Sequence, residues 1–158
     1  MSVDRYKKLE PKLIMEEYFN GNIQAWGMFE DTFGIIRKRF TCIIKANFNS
    51  EMKTIEVSEN FTYDDKSTEK RTWLLKKTSS DQYEATTDSV IGVGKGKTSG
   101  NAFHWKYKFE LSLYGKKVKV KFDDRMYLIS KNVIINRARM YKYGIKLGTV
   151  NLYFHKIN

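Results

Sequence analysis

Apolar and polar residues alternate almost without interruption between Phe103 and Phe122. The apolar members of the first half share one predicted face: Phe103, Trp105, Tyr107, Phe109, Leu111 and Leu113. A turn is predicted at 114–116, after which Val118, Val120 and Phe122 continue the pattern. Because successive side chains of a strand point to opposite faces, a period of two predicts β-strands. One polar and one apolar face predict an antiparallel sheet folded over a single core.

Shorter stretches of the same kind predict further strands along the chain. They fall at 23–29, 35–48, 55–63, around 71–75, and at 83–87, 91–100, 125–130, 133–143 and 146–156. Asp123 and Asp124 predict a break before the strand at 125, and Pro11 favours a short helix over 11–19. Nine or ten strands joined by short turns leave no room for crossover helices, and closure removes exposed edges. The predicted fold class is therefore all-β: one up-and-down antiparallel barrel over 1–158, with 1–20 as an N-terminal extension.

Composition narrows the class of protein. With 41% apolar and 30% charged residues, the chain is predicted to be neither disordered nor embedded in a membrane. The first ten residues are charged and lack an apolar core, so no signal peptide is predicted. A cytoplasmic or peripheral membrane location is the corresponding expectation. The single cysteine, Cys42, excludes an internal disulfide and lies on an apolar stripe.

The formal charge of +11 favours anionic partners, and an anionic membrane surface is one possibility. The lysines recur at alternate strand positions, which is typical of a solvated face. Nucleic acid is disfavoured as a partner, because its binding sheets expose aromatic residues that this pattern predicts to be buried. No metal or cofactor is predicted, since His104 and His155 are expected to face solvent and show no ligand spacing with Cys42.

Polar residues on the apolar faces are the candidate functional positions. Glu59 shares a face with Phe61, and Arg71 shares a face with Trp73. The hairpin places Glu59 opposite or diagonal to Arg71, and a buried guanidinium needs a carboxylate, so an ion pair is predicted. This pair would either fix the register or anchor the polar head of a ligand in an apolar cavity.

A second such stretch lies at 133–143. Asn136 is in phase with Ala138, whereas Arg137 is in phase with Ile135 and Arg139. One of the two sets faces the interior, and the period alone leaves both assignments open.

Several phrases, in order, resemble a known bacterial family. They are ENFTYDD at 59–65, RTW at 71–73, GNA at 100–102 leading to WKY at 105–107, FDDRM at 122–126 and NRARMYKYG at 136–144. Their order and spacing, from about Trp26 to Phe154, resemble the bacterial domain of unknown function 3833.

The resemblance implies a calycin-like (lipocalin-like) barrel and lipid-related work, in a family that consists mostly of small lipoproteins and has no established reaction. No leader or N-terminal lipidation cysteine is seen in this sequence, so an envelope location is not carried over. The family positions carried over, with unassigned roles, are Glu59, Arg71, Trp73, Asn101, Trp105, Tyr107, Asp124, Asn136 and Arg137.

These observations lead to one functional hypothesis and two alternatives. The barrel is predicted to hold an apolar or amphipathic small molecule, with Arg71 at an anionic head and Arg137 assisting. The predicted ligand-binding set is Arg71, Glu59, Trp73, Trp105, Tyr107, Asn136 and Arg137. One alternative is an enzyme that uses Glu59 or Asp124 as acid or base on a lipid or small polar substrate. The other is a basic protein that binds a membrane surface through its lysines.

Overall fold

The structure, a computed structural model, describes residues 1–113 and 115–158. It contains ten strands: β1 (Gly21–Asp31), β2 (Ile36–Asn49), β3 (Thr54–Tyr63), β4 (Thr68–Lys77), β5 (Gln82–Thr86), β6 (Val90–Ser99), β7 (Ala102–Leu113), β8 (Lys116–Ser130), β9 (Val133–Lys142) and β10 (Ile145–Lys156). Each strand pairs antiparallel with the next, and β1 pairs with β10. The sheet therefore closes, which confirms the predicted all-β, up-and-down barrel.

Two predicted boundaries are wrong. Strand β8 continues through Asp123 and Asp124, where a break was expected, because the two aspartates alternate like any strand residues. Asp124 faces the interior, while the exterior Asp123 pairs with Arg125 at 3.1 Å. The predicted helix over 11–19 is a single turn, α1 (Met15–Tyr18). Of the turn predicted at 114–116, Tyr114 lies outside the described residues.

The N-terminal segment, residues 1–20, closes one end of the barrel. It begins with a 3₁₀ turn at Val3–Tyr6 and continues into α1. The backbone N–H of Leu13 donates to the Gly100 carbonyl at 2.9 Å, in the β6–β7 turn. The Tyr18 hydroxyl donates to the Asn132 carbonyl at 2.9 Å, in the β8–β9 turn. These bonds hold the segment across the strand ends.

Side chains of the same segment extend into the core. Phe19 is buried against Phe154, with ring centroids 6.2 Å apart. The Glu16 carboxylate accepts a hydrogen bond from the Tyr83 hydroxyl at 2.6 Å and pairs with Lys77 at 2.5 Å. No helix within the described residues has the length and apolar content needed to cross a bilayer.

The opposite end of the barrel, here called the mouth, is formed by the β1–β2, β3–β4, β5–β6, β7–β8 and β9–β10 connections. Between the two ends, aromatic rings pack in edge-to-face and tilted contacts. Trp105 lies 4.9 Å from Trp73 and 4.5 Å from Tyr107, measured between ring centroids. Such contacts stabilise a core beyond the area they bury.

Candidate functional site

A layer of polar side chains crosses the interior between the aromatic rings. Asp124 on β8 and Asn136 on β9 are both buried. The Tyr107 hydroxyl donates to Asp124 Oδ2 at 2.9 Å. Asn136 Nδ2 donates to Asp124 Oδ1 at 2.5 Å and to the Arg125 carbonyl at 2.9 Å. Burial raises the pKa of Asp124 to about 6, against the opposing effect of Asn136, Tyr107 and Trp105.

Glu59 on β3 is the second interior carboxyl group. Its Oε1 atom is buried without a hydrogen-bond partner among the residues that the structure describes. Burial raises the pKa of Glu59 to about 7, because the cost of desolvating the carboxylate outweighs the stabilisation from Arg71 and Trp73. Near neutral pH the carboxyl group is therefore substantially protonated and can donate as well as accept.

Arg71 occupies the mouth and does not form the predicted pair. The register does place it directly opposite Glu59, as the sequence indicated. Its guanidinium nevertheless pairs with Glu69, at 2.7 Å, and lies 5.2 Å from the Phe61 ring and 4.7 Å from the Phe109 ring. The side chain is 20% exposed. The guanidinium turns toward the mouth, where it keeps part of its hydration. Arg71 therefore pairs with Glu69 and not, as predicted, with Glu59.

A cavity of about 50 Å³ lies between this polar layer and the N-terminal segment. Its wall includes Met15, Glu59, Trp73, Trp105 and Met126. The Trp105 Nε1 atom is buried and, like Glu59 Oε1, makes no hydrogen bond of normal geometry within the described part of the chain, although the indole lies close enough to Asp124 to oppose the rise in the pKa of that carboxyl group. The two residues that carry these atoms line the same cavity, which has room for a few water molecules or a small polar group.

Two lysines join Arg71 at the mouth. Lys38 lies in phase with the inward Phe40, and Lys142 lies in phase with the inward Met140. The Lys38 ammonium is 3.8 Å from the centre of the Tyr63 ring. The sequence does not single out either lysine, because both look like the solvated residues of the outer face. The one feature of the sequence that indicates their position is that each lies two residues from an inward apolar residue of its strand.

The structure brings most of the predicted ligand-binding set together and leaves one member outside. Glu59, Trp73, Trp105, Tyr107 and Asn136 face the interior, and Arg71 faces the mouth. On β9 the interior set is the one that contains Asn136.

Arg137 is the exception. It is exposed on the outer wall, opposite Arg125 and Asn151, so its assignment to the interior site is wrong. Because side chains alternate along a strand, only one of Asn136 and Arg137 can face the core. Ile134 and Ala138 are buried, so Asn136, which is in phase with them, is buried too.

His104 lies on the outer face and is half-buried there. Its Nε2 atom is 3.0 Å from the Tyr127 hydroxyl. Burial, assisted by Arg125, lowers the pKa of His104 to about 4, so the ring is neutral near pH 7. Across residues 1–113 and 115–158, no three His, Cys, Asp or Glu side chains converge as a metal site would need.

Geometry alone defines a closed ten-stranded barrel protein with a polar layer in its interior. The chain belongs to DUF3833, a family described as protein of unknown function, whose model matches residues 1–156. No curated protein matches it.

Two solved structures are similar. One is the S-type phycobiliprotein lyase from Guillardia theta, with a TM-score of 0.66, 11% identity and 90% of each chain covered. The other is a protein of unknown function from the DUF3598 family of Nostoc punctiforme PCC 73102, with a TM-score of 0.62 and 11% identity. The match covers 94% of this chain and 51% of that one. At this identity the likeness shows the fold alone.

Proposed function

We propose that the protein binds a small amphipathic anion inside the barrel, with a hydrogen-bonding group in the body of the ligand. The observation that carries this proposal is the pair of buried atoms on one cavity, Glu59 Oε1 and Trp105 Nε1, for which the described residues supply no partner. Leaving such groups unpaired costs about 1–3 kcal/mol each. A ligand that supplies the missing partners recovers this free energy.

The mouth supports an anionic head group on the same ligand. Arg71 is 20% exposed there and lies over two aromatic rings, and the Lys38 ammonium lies over the neighbouring Tyr63 ring. Lys142 adds positive charge on the opposite side of the barrel. Since Arg71 and Glu59 are directly opposite on adjacent strands, one molecule can reach both. The likeness to a phycobiliprotein lyase is in keeping with a small-molecule ligand.

The size of the cavity limits how the ligand enters. A cavity of about 50 Å³ holds only a few heavy atoms, whereas drug-sized ligands occupy about 300 Å³ or more. Binding therefore requires wall side chains to move. Met15 and Met126 are suited to this, because an unbranched thioether adapts to new shapes at low cost.

Two fatty acids that differ by one hydroxyl group test whether the site binds a polar group in the body of the ligand. Oleate carries an anionic head and an apolar tail, and ricinoleate adds one hydroxyl in the middle of the tail. We expect ricinoleate to bind about tenfold more tightly, because its hydroxyl pairs with the interior donor and acceptor. Binding is measured by isothermal titration calorimetry and by native mass spectrometry of the purified protein. Equal affinity for the two lipids, or binding of neither, contradicts the proposal.

Two arginine variants give a matched control for the head group. Arg71→Gln removes a cation at the mouth, and Arg137→Gln removes one from the outer wall. We expect Arg71→Gln to weaken ricinoleate binding by about tenfold and Arg137→Gln to leave it within about twofold. An equal loss of affinity in the two variants would mean that binding depends on the net charge of the protein and not on a cation at the mouth.

Acid–base chemistry on the bound molecule is a second candidate, favoured by the raised pKa of both Glu59 and Asp124. It predicts that wild-type protein converts a bound ligand to a product seen by mass spectrometry. It further predicts that Glu59→Gln or Asp124→Asn binds the same ligand without converting it. Binding without conversion in the wild type leaves carriage of the ligand as the function.

A further inference from the structure

Two neighbouring hairpins at the mouth expose large apolar side chains at their tips. On the β1–β2 connection Phe33 is 87% exposed and Ile35 is 48% exposed. On the β9–β10 connection Tyr143 is 90% exposed, and Ile145, the first residue of β10, is 67% exposed. Single exposed apolar residues are ordinary, but here four lie at the ends of two hairpins that are neighbours through the β1–β10 pairing.

The two tips project together beyond the barrel. The last residue pair between β1 and β10 is Asp31 with Gly148. From there β10 extends three residues further, to Ile145, and the β1–β2 connection extends over residues 32–35. At about 3.3 Å per residue, β10 runs about 10 Å along the strand past its last pair with β1. The β1–β2 connection closes in a tight turn directly after Asp31. Interfacial segments enter a bilayer by about 5–10 Å, so short hairpin ends such as these are sufficient to reach its apolar boundary.

Basic residues flank the apolar tips on both sides. Strand β2 carries Arg37 and Arg39 on its outer face, and the β7–β8 hairpin carries Lys116, Lys117 and Lys119. In the strand order the tips lie between these two groups, and Lys146 follows Ile145 directly.

Part of this charge is already neutralised within the chain. Arg37 pairs with Asp31 at 2.8 Å, Arg39 pairs with Asp64 at 3.4 Å, and Lys117 pairs with Glu110 at 3.7 Å. Over residues 1–113 and 115–158, Lys146 takes part in no ion pair. An excess of positive charge thus remains beside the tips.

We propose that the mouth docks on a bilayer that contains anionic phospholipid, with the four apolar tip residues inserted and the flanking cations at the level of the lipid phosphates. Cations alone would suit a nucleic acid equally well. The apolar tips favour lipid, because they gain free energy only where they leave water. The proposal concerns the outer rim and does not depend on a ligand being bound in the interior.

The test is flotation of the purified protein with vesicles of phosphatidylcholine alone or with roughly 30 mol% phosphatidylglycerol. The anionic lipid gives the second kind of vesicle the negative surface potential that attracts basic residues. We expect binding to the anionic vesicles that falls as NaCl rises from about 0.05 to about 0.5 M, since salt screens surface charge. The double variant Phe33→Ser/Ile145→Ser should lower the partition coefficient by about tenfold or more, because both side chains lose their transfer into the bilayer.

A matched control uses two apolar residues with similar exposure on the barrel wall. Ile43 is 56% exposed and Ile129 is 54% exposed. The double variant Ile43→Ser/Ile129→Ser should bind anionic vesicles like the wild type, and melting temperatures confirm that all variants are folded. Absence of vesicle binding in the wild type, or equal losses in the two double variants, overturns the proposal.

Two further results also count against it. One is a dimer in light scattering that only the tip variant dissociates, without vesicle binding; the tips would then contact a second copy. The other is binding to a DNA duplex that the tip substitutions leave unchanged.

Discussion

At the scale of single residues, Glu59 shows how the interior departs from what stability alone would favour. A carboxyl group in this position has one oxygen without a partner in the described structure and a pKa raised to about 7. An apolar residue of similar volume would avoid that cost. The same group can donate or accept a hydrogen bond near neutral pH, which is the property that the proposed ligand site uses.

This raised pKa predicts how stability depends on pH. Below the ordinary value of 4.5 the carboxyl group is protonated in both the folded and the unfolded protein. Between 4.5 and about 7 the unfolded chain ionises while the folded protein stays protonated, so the free energy of unfolding falls through this window. The loss accumulates to about 3 kcal/mol and is complete above about pH 7.

The substitution Glu59→Gln removes this titration. Relative to the wild type, the variant should gain about 3 kcal/mol between pH 4.5 and pH 8, as measured by urea unfolding at several pH values. Asp124 remains in both proteins, so the difference reports the titration of Glu59 together with its electrostatic coupling to Asp124. Glu56→Gln, at an exposed position of the same strand, serves as the control. Parallel curves for the wild type and Glu59→Gln would show that the carboxyl group ionises freely in the folded protein.

At the scale of elements, the N-terminal segment depends on a close approach to the β6–β7 turn. Gly100 has a φ of 56°, and a Cβ atom there would overlap the Tyr6 carbonyl oxygen. Its own carbonyl accepts the hydrogen bond from Leu13. Glycine is needed at this turn both for its backbone conformation and for the space it leaves to the crossing segment.

Gly100→Ala should therefore loosen the closed end of the barrel. Gly144→Ala is a matched control, because Gly144 has a φ of 75° but no atom within 4 Å of an added Cβ. Backbone strain costs about 1–2 kcal/mol in both variants, and the clash adds about 1–3 kcal/mol in Gly100→Ala alone.

Unfolding free energies measure this difference between the two glycine variants. Limited trypsin cleavage at Lys7, Lys8 and Lys12 measures release of the segment. Equal destabilisation and equal cleavage in the two variants would show that the segment does not need this approach.

At the scale of the whole molecule, the barrel wall is uneven. Strand β5 pairs over only four positions with each neighbour, and β6 has an irregularity between Ile91 and Lys95. The β7–β8 ladder, by contrast, runs over twelve pairs, from Ala102–Tyr127 to Leu113–Lys116. Local openings cost least where few hydrogen bonds and few buried contacts must be broken.

Native-state hydrogen exchange should show this difference directly. We expect the amides of β5 and of residues 92–94 to exchange first, at free energies well below that of global unfolding. Amides in the middle of β7 and β8 should exchange last, by global unfolding alone. Mass spectrometry of peptic fragments locates the protected segments. Protection of β5 equal to that of β7 would mean that the wall opens only as a whole.

Much of the fold could be predicted because the apolar and polar residues of each strand alternate along the sequence. The phase of Phe103–Phe122 placed the aromatic rings inside correctly. The same rule, applied strictly, would also have carried β8 through Asp123 and Asp124. Two adjacent aspartates favour a turn, but the hydrogen bonds of Asp124 to Tyr107 and Asn136 override this propensity.

The sequence by itself determined a closed antiparallel barrel, the inward phase of most strands and the register that sets Glu59 opposite Arg71. These depend on a period of two and on short turns, both of which are local. Only the tertiary structure decided that Arg71 pairs with Glu69, that Asn136 faces inward while Arg137 faces solvent, and that the cavity is small. Side-chain direction and interior volume depend on contacts between strands distant in sequence, which form only once the barrel closes.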